Sequence, residues 1–300
     1  MGDDSVPHVT PPTLRHDRDP GDAWVVAETG ERFWGRFGAA GLLALDPARG
    51  VLLQHRAPWS HFGGTWGIPG GALHQGESPH AGALREAHEE AGVPHGAVRL
   101  RAIEVLDRQI WRYTTVIADV QHPFDPVAGD AESIELRWVP THQVGALDLH
   151  PAFAQAWPGL LPLTRTRPVI VVDGSSSAPG PGEPTGHSHA AASAALLERL
   201  DRVAERGVAA HHLGLDGERW YPQIDVVLDR PVSDGDPAAR VTVARDGEAP
   251  LDALVRRAHE RTADGCSVVV VTDDHGIGER AADGRGTWHG HDWLLRVATG

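Results

Sequence analysis

The chain has 300 residues, a formal net charge of −14, and a hydrophobic fraction of 41%. This length predicts two domains, since one domain usually has roughly 100–200 residues. The negative charge argues against general binding to nucleic acids or anionic membranes, because both present phosphate groups. The one cysteine, Cys266, excludes an internal disulfide. Together with the absence of an apolar leader or a membrane-length apolar run, it predicts a cytoplasmic protein.

The first half of the chain is predicted to be one domain over residues 21–163, preceded by a polar, disordered leader over residues 1–20. A loop rich in glycine and proline is predicted over Ala57–Gly71. A helix is predicted to begin at Ser78 and Pro79 and to end at Gly92, because these residue types suit the N-cap, the first turn and the C-terminal end. The other expected elements are strands within Trp24–Leu53 (clearest over Gly38–Leu45), strands over Val98–Leu106, Tyr113–Val120 and Ile134–Val139, and a short helix over Pro151–Leu160.

The second half is predicted to be an α/β domain over residues 164–300, with its boundary near Arg165–Pro168. Predicted strands and helices alternate there, which favours a mainly parallel sheet. A low-complexity loop is predicted over Gly174–Gly186. The expected elements are strands over Val169–Val172, Val226–Leu228, Arg240–Ala244 and Ser267–Thr272, and helices over Ala190–Arg206 and Leu251–Ala263.

The helix that begins at Pro79 carries three carboxylates within one turn. At about 100° per residue, Glu86, Glu89 and Glu90 fall on one side. The apolar residues predicted for the opposite, buried side are Ala81, Leu84, Ala87 and Ala91. Three neighbouring anions repel one another unless solvent screens them or a cation binds them. The pattern therefore fits a solvated acidic surface or a site for a hard divalent cation such as Mg²⁺.

The spacing of glycine, glutamate and arginine residues around this helix distinguishes a cation site from a solvated acidic surface. Gly71 is followed after five residues by Glu77, and after seven more by Arg85-Glu86-Ala87-His88-Glu89-Glu90-Ala91-Gly92-Val93. This run resembles the Nudix box at every defining position. The resemblance implies an α/β/α sandwich with a mixed sheet and hydrolysis of a diphosphate linkage by a metal-activated water. The required cofactor is Mg²⁺, or alternatively Mn²⁺.

The same resemblance implies roles for individual residues. The metal ligands would be Glu86, Glu89 and Glu90. Arg85 would orient the carboxylates by pairing with Glu77, and Glu89 would also accept the proton of the attacking water. Gly70 and Gly71 would allow the backbone to approach the helix and the substrate phosphates without a Cβ in the way.

Residues outside the box provide further candidates with open alternatives. Glu132 and Glu135 could supply another ligand or base, or could be solvated carboxylates at a strand edge. Arg56, preceded by His55, could contact phosphate or form a polar surface. Three aromatic residues could stack on a base or sugar, although packing alone is the simpler interpretation: Trp59, Trp66 and Tyr113. The histidine pairs His187/His189, His211/His212 and His289/His291 are weak metal candidates, because each lacks a third ligand at a fixed spacing.

A wider resemblance covers roughly residues 21–163 and points to a Nudix group common in actinobacteria, in which a second domain follows. The second domain resembles, more faintly, the PIN/NYN nuclease-like fold. In that fold acids lie at the carboxyl ends of parallel strands. Asp173, Asp273 and Asp252 would be those acids. The expected Asn after Asp173-Gly174 is replaced by Ser175, and Leu251 occupies the position of a second acid, so a degenerate nuclease-like domain is expected.

The complete box favours an enzyme over a Nudix-like ligand sensor whose output is the second domain. A third hypothesis, a nuclease regulated by the Nudix half, is disfavoured by the acidic charge. The expected partner is a small nucleotide, with neither nucleic acid nor membrane. A proline that marks ADP-ribose enzymes is replaced by Arg108, and the signature of the coenzyme A group is incomplete. Nucleoside triphosphates and related nucleotides are therefore the default substrate class. The sequence does not indicate an oligomeric state.

Overall fold

A computed structural model describes residues 19–129, 131–175, 188–229, 240–245 and 247–299. Its contacts divide the chain into two units, Met1–Thr164 and Arg165–Gly300. Most of the predicted leader, most of the predicted loop over Gly174–Gly186, and His187 lie outside the described residues.

The first unit is built around a mixed sheet, as the resemblance implied. Its described elements are β1 (Trp24–Val26), β2 (Arg32–Trp34), β3 (Ala39–Asp46), β4 (Gly50–Arg56), β5 (Trp66–Gly67), β6 (Gly70–Ala72), α1 (Pro79–Ala91), β7 (Val98–Asp107), β8 (Arg112–Val120), β9 (Ser133–Val139) and α2 (Pro151–Arg165). Strand β3 is buried along its whole length. It pairs in parallel with β8 and antiparallel with β4 and β6. Strand β7 extends the sheet beside β8, and β5 and β9 both pair with β4.

The prediction of an uninterrupted loop over Ala57–Gly71 is wrong, because β5 and β6 lie partly within it. Strand β6 approaches β3 closely enough that a Cβ on Gly70 would lie 2.5 Å from the carbonyl oxygen of Ala40. Glycine density therefore marks close backbone pairing here as well as turns.

Helix α1 begins and ends where the sequence predicts. The Ser78 hydroxyl accepts a hydrogen bond from the Ala81 N–H at 3.3 Å. Gly92 has a φ of 64° and its N–H donates to the His88 carbonyl oxygen, while the Val93 N–H donates to that of Ala87. The predicted buried side is partly wrong, since Ala81 is exposed and the helix instead buries Ala83 together with Ala87 and Ala91.

Helix α2 extends five residues beyond the predicted end at Leu160, to Arg165. Pro158 and Pro162 lie inside it, and both are exposed. The apolar residues Phe153, Trp157, Leu160 and Leu163 remain buried on one side. Packing of that side compensates for the hydrogen bonds that the prolines cannot donate.

The second unit contains the mainly parallel sheet that the sequence predicts. Its described elements are β10 (Pro168–Asp173), α3 (Ser188–Arg206), β11 (Val208–Ala209), α4 (Ala210–Leu213), β12 (Arg219–Trp220), β13 (Gln223–Leu228), β14 (Arg240–Val243), α5 (Pro250–Ala263), β15 (Ser267–Val271), α6 (His275–Ala282), β16 (Thr287–His289) and α7 (Asp292–Thr299). The strands β14, β13, β10, β15 and β16 lie side by side in that order, and every neighbouring pair is parallel. Among the described residues, no helix is both long and apolar enough to cross a membrane.

Candidate active site

Strand β6 and helix α1 form the candidate site, and Glu90 joins them. The Glu90 side chain is buried, with a relative exposure of 5%. Its Oε2 accepts a hydrogen bond from the Gly70 N–H at 2.9 Å. The prediction that the three glutamates share one open side therefore needs correction, because Glu90 faces β6.

The Arg85 side chain makes several of the polar contacts at this site. Its Nε and Nη2 both donate to Glu77 at 2.9 Å, the pairing that the sequence predicts. Nη2 also donates to the carbonyl oxygen of Ala72 at 3.0 Å. These charge-assisted bonds raise the pKa of Arg85 and lower that of Glu77, so both groups remain charged.

Glu86 lies between Arg85 and Gly71. Arg85 Nη1 donates to Glu86 Oε1 at 2.8 Å. A Cβ on Gly71 would lie 2.6 Å from the same carboxyl group, so only glycine leaves room for it. Burial raises the pKa of Glu86, which outweighs the lowering effect of Arg85, and nearby Glu89 and Asp22 raise it further.

The contribution of Asp22 was missed by the sequence analysis. Asp22 lies two residues before β1 and is distant from the box in sequence. Neither periodicity nor motif spacing signals its proximity to Glu86.

Glu89 is the most solvent-accessible of the three glutamates, with 58% of its side chain exposed. Its Oε2 lies 3.7 Å from Arg85 Nη1, beyond hydrogen-bond distance. Glu89 therefore combines exposure to solvent with a nearby positive charge.

The chemistry of these side chains fits a divalent cation, because Mg²⁺ and Mn²⁺ prefer carboxylate oxygens. The space beside Gly71 that Glu86 occupies is a second indication of a site built around carboxylates. Within the described ranges, no three His, Cys, Asp or Glu side chains are arranged as a closed ligand set. Glu86 and Glu90 instead hold contacts to Arg85 and Gly70, which leaves Glu89 as the carboxylate that can reorient most easily.

Tyr113 lies close enough to Glu90, Glu86 and Arg56 for their charges to act on it. A Cβ on Gly41 would lie 2.2 Å from the Tyr113 hydroxyl, so strand β3 passes directly beneath that ring. Burial raises the pKa of Tyr113, Glu90 adds to the effect, and Arg56 opposes it. Tyr113 is therefore near both charges, and it is half-buried.

The other predicted candidates lie along β4, β9 and the loop that follows β4. Glu135 is opposite His55 in the sheet, and its exposed carboxylate lies 3.5 Å from Arg137 Nε. The Glu132 carbonyl oxygen accepts a hydrogen bond from the Ala57 N–H at 2.7 Å. Both residues thus flank the strand that carries Arg56.

Trp66 is buried, with the His55 ring stacked 4.6 Å away and the Arg137 guanidinium 4.4 Å from its centroid. Trp59 is half-buried. The burial of Trp66 supports packing over base stacking for that residue.

Comparisons with known proteins agree with this geometry. A model of the NUDIX domain matches residues 35–159. A protein of Mycobacterium tuberculosis described as "Putative 8-oxo-dGTP diphosphatase 3" is 46% identical over 176 residues, which cover 55% of this chain and 79% of that protein. This chain belongs to the Nudix family.

Two further proteins share this Nudix region. A Bifidobacterium longum protein described as "Nucleoside triphosphate pyrophosphatase/Nudix hydrolase fusion protein" is 43% identical over 155 residues, which cover 49% of this chain and 32% of that protein. The solved structure of the Mycobacterium smegmatis Nudix hydrolase RenU is 51% identical, covers 48% of this chain and 95% of that structure, and has a TM-score of 0.44. The match to the NUDIX model ends at residue 159, so the PIN/NYN resemblance of the second unit stays a prediction.

The candidate acids of the second unit are engaged in local contacts. Asp173 Oδ1 accepts hydrogen bonds from the Ser175 N–H and hydroxyl at 2.9 and 2.6 Å, and Oδ2 accepts from the Thr272 hydroxyl at 3.0 Å. Asp273 lies 3.0 Å from His291 Nδ1. The prediction that Asp252 joins these acids gains no support, because its exposed carboxylate pairs with Arg280 at 3.1 Å.

Proposed function

We propose that the Nudix unit hydrolyses a diphosphate linkage in a nucleoside triphosphate or a related nucleotide, with Mg²⁺ or Mn²⁺ as cofactor. The observation that carries this proposal is the Arg85-centred arrangement. Arg85 pairs with Glu77 and binds Glu86, which lies against Gly71. Glu89 remains exposed to solvent near the same guanidinium group.

Glu86, Glu89 and Glu90 would hold the cation, which when bound supplies charge neutralisation for the diphosphate and acidifies a water molecule. Glu89 accepts the proton of the attacking water, since it is the exposed carboxylate of the three. Arg85 is a positioning residue that fixes Glu86 relative to β6. Gly70 leaves room for the close approach of β3 and Gly71 for the Glu86 carboxylate, and the backbone of both would lie near the substrate phosphates.

Arg56 would bind substrate phosphate near Tyr113. Glu132 and Glu135 flank Arg56 and remain candidates for a further base or ligand. The descriptions of the relatives favour a purine nucleoside triphosphate, with 8-oxo-dGTP as the first compound to test.

A panel of nucleotides with Mg²⁺ tests the proposal, with phosphate, pyrophosphate and nucleotide products measured separately. We expect turnover of at least one nucleoside triphosphate, and near-complete loss of that turnover in Glu89→Gln. Glu198→Gln is the matched control, because Glu198 is an exposed glutamate of the second unit. Comparable turnover in Glu89→Gln and wild type would refute the role of Glu89. Tight nucleotide binding without any turnover would favour the sensor hypothesis.

A further inference from the structure

Four aromatic rings from distant parts of the Nudix unit form a cluster that we call the outer aromatic cluster: Trp24, His61, Phe62 and His150. The His61 ring lies 5.5 Å from Trp24 and 4.3 Å from Phe62, and Phe62 lies 4.8 Å from His150. Trp24 and Phe62 are 37% and 47% exposed. Large aromatic side chains left in solvent beside one another are typical of a ligand-binding surface.

Arg56 connects this cluster to the candidate active site. Its Nε donates to the His61 carbonyl oxygen at 3.2 Å. Its positive charge lowers the pKa of His61, His150 and Tyr113, while the negative charges of Glu90 and Glu86 raise the pKa of Tyr113. The outer aromatic cluster therefore lies next to Arg56, the residue proposed to bind the substrate phosphate.

His150 presents a defined hydrogen-bond donor within the cluster. The Ala152 N–H donates to its Nδ1 at 3.3 Å, so the proton of the neutral ring is on Nε2. Burial, together with the charge of Arg56, lowers the pKa of His150 to about 4, so the ring is neutral at neutral pH. Among the described residues, none accepts a hydrogen bond from Nε2.

We infer that the outer aromatic cluster binds the base of the nucleotide, and that the base is a guanine-type purine. The base stacks on Phe62 and its neighbours, and His150 Nε2–H donates to the O6 oxygen. Adenine offers an amino group in place of O6, so it lacks that acceptor. This inference rests on the proposed function, because the phosphates must lie toward Arg56 and α1 for the base to reach the cluster.

Phe62→Ala provides the main test, because Phe62 is exposed and its loss should not disturb folding. Two readouts are used: binding of dGMP in the presence of chelator, measured by calorimetry, and kcat/KM for dGTP, dATP and inorganic tripolyphosphate with Mg²⁺. Stacking of a base on an aromatic side chain typically changes affinity by roughly 5- to 150-fold. We expect Phe62→Ala to weaken dGMP binding at least about tenfold, to raise KM for dGTP comparably, and to leave tripolyphosphate within about twofold of wild type.

His150→Ala tests the donor, because alanine has no side-chain hydrogen-bond donor. We expect the ratio of kcat/KM for dGTP to that for dATP to fall at least about fivefold, the scale of one lost hydrogen bond. His142→Ala is the matched control, because His142 is an exposed histidine in the loop after β9.

The outcomes separate the two proposals. Absence of hydrolysis with every nucleotide refutes the proposed function, while dGMP binding still reports on the base site. Unchanged dGMP binding in both variants overturns the inference. So does an equal loss of activity toward dGTP and tripolyphosphate, which would indicate a merely structural role.

Discussion

Replacement of Gly71 by alanine tests whether the position of Glu86 controls catalysis. No backbone strain is expected, because Gly71 does not have a positive φ. The added Cβ would lie 2.6 Å from Glu86 Oε1, against an ordinary contact of 3.4 Å. The carboxylate must therefore move by about 0.8 Å, which can lengthen the 2.8 Å bond from Arg85 Nη1 to at most about 3.6 Å, beyond hydrogen-bond distance.

Gly71→Ala should lower stability only slightly but activity strongly. The moving group is the end of a flexible side chain, so the free energy of unfolding should fall by no more than about 2 kcal/mol, the scale of one hydrogen bond to a charged group. Displacement of a catalytic group by about 1 Å commonly costs about 10²-fold in rate. We expect kcat/KM for the best nucleotide to fall by that factor while the variant stays folded.

Denaturant unfolding and steady-state kinetics on the same preparations distinguish these effects. Gly159→Ala is the control, because a Cβ there meets open space in α2 and alanine favours a helix by roughly 1 kcal/mol. The double variant Gly71→Ala, Glu86→Asp shortens the carboxylate side chain, and should regain stability without regaining activity. Wild-type kcat/KM in Gly71→Ala would refute the argument that Glu86 has to occupy this position.

Four further outcomes are expected. Hydrolysis should need Mg²⁺ or Mn²⁺ and stop with chelator, and full activity of the metal-free protein would contradict that dependence. Glu89→Gln should lower turnover by at least about 10²-fold. Its Tm should be unchanged or higher, since the substitution relieves like-charge repulsion. Residues 21–163 expressed alone should match the full chain per mole, whereas a soluble but inactive fragment would show that the site needs the second unit. The pKa of His150 falls from 6.5 to about 4 on folding, so the unfolded state binds more protons between these values. Stability should therefore decline as pH falls through that window, by at most about 3 kcal/mol, and a His150→Gln variant with the same pH slope would exclude His150 as the cause. The full chain should not cleave single-stranded RNA or DNA with either metal; cleavage that disappears in an Asp173→Asn, Asp273→Asn double variant would overturn that expectation.

The helix and its central contacts could be predicted because their determinants are local. Ser78 and Gly92 satisfy the backbone groups at the two ends of α1 directly. Arg85 and Glu77 are close in the chain, so their pairing depends on one turn and one helix. The helix ends follow from residue type and spacing, whereas the Arg85–Glu77 pairing was implied by the resemblance to the Nudix box.

The side of the helix that is buried could not be predicted in the same way. A helical projection gives the direction of each side chain, but it does not show where the neighbouring strands lie. Ala83 lies only about 20° from Glu90 around the helix axis, so burial of Ala83 takes Glu90 with it. Glu90 tolerates burial because the Gly70 N–H donates to its carboxylate.

Asp22 and the outer aromatic cluster were missed for a related reason. Trp24 and His150 are separated by most of the Nudix unit in sequence, and their rings are brought near one another only through His61 and Phe62. Neither residue carries a sequence signal for a ligand-binding role. Only the tertiary structure reveals that the aromatic residues and Arg56 share one surface.

In the second unit, acids at strand ends suggested a nuclease-like fold, and their local contacts fit the expectation that this domain is degenerate. Asp173 and Asp273 do lie at the carboxyl ends of parallel strands, the position that suggested a nuclease. Asp173 accepts from Ser175 and Thr272, and the His291 ring lies 3.0 Å from Asp273 and 2.6 Å from the Asp173 carbonyl oxygen. These bonds connect the ends of β10 and β15 to the segment after β16. A metal ion would have to compete with each of these donors for the carboxylate oxygens, so the contacts that order this sheet edge also oppose its use as a cation site.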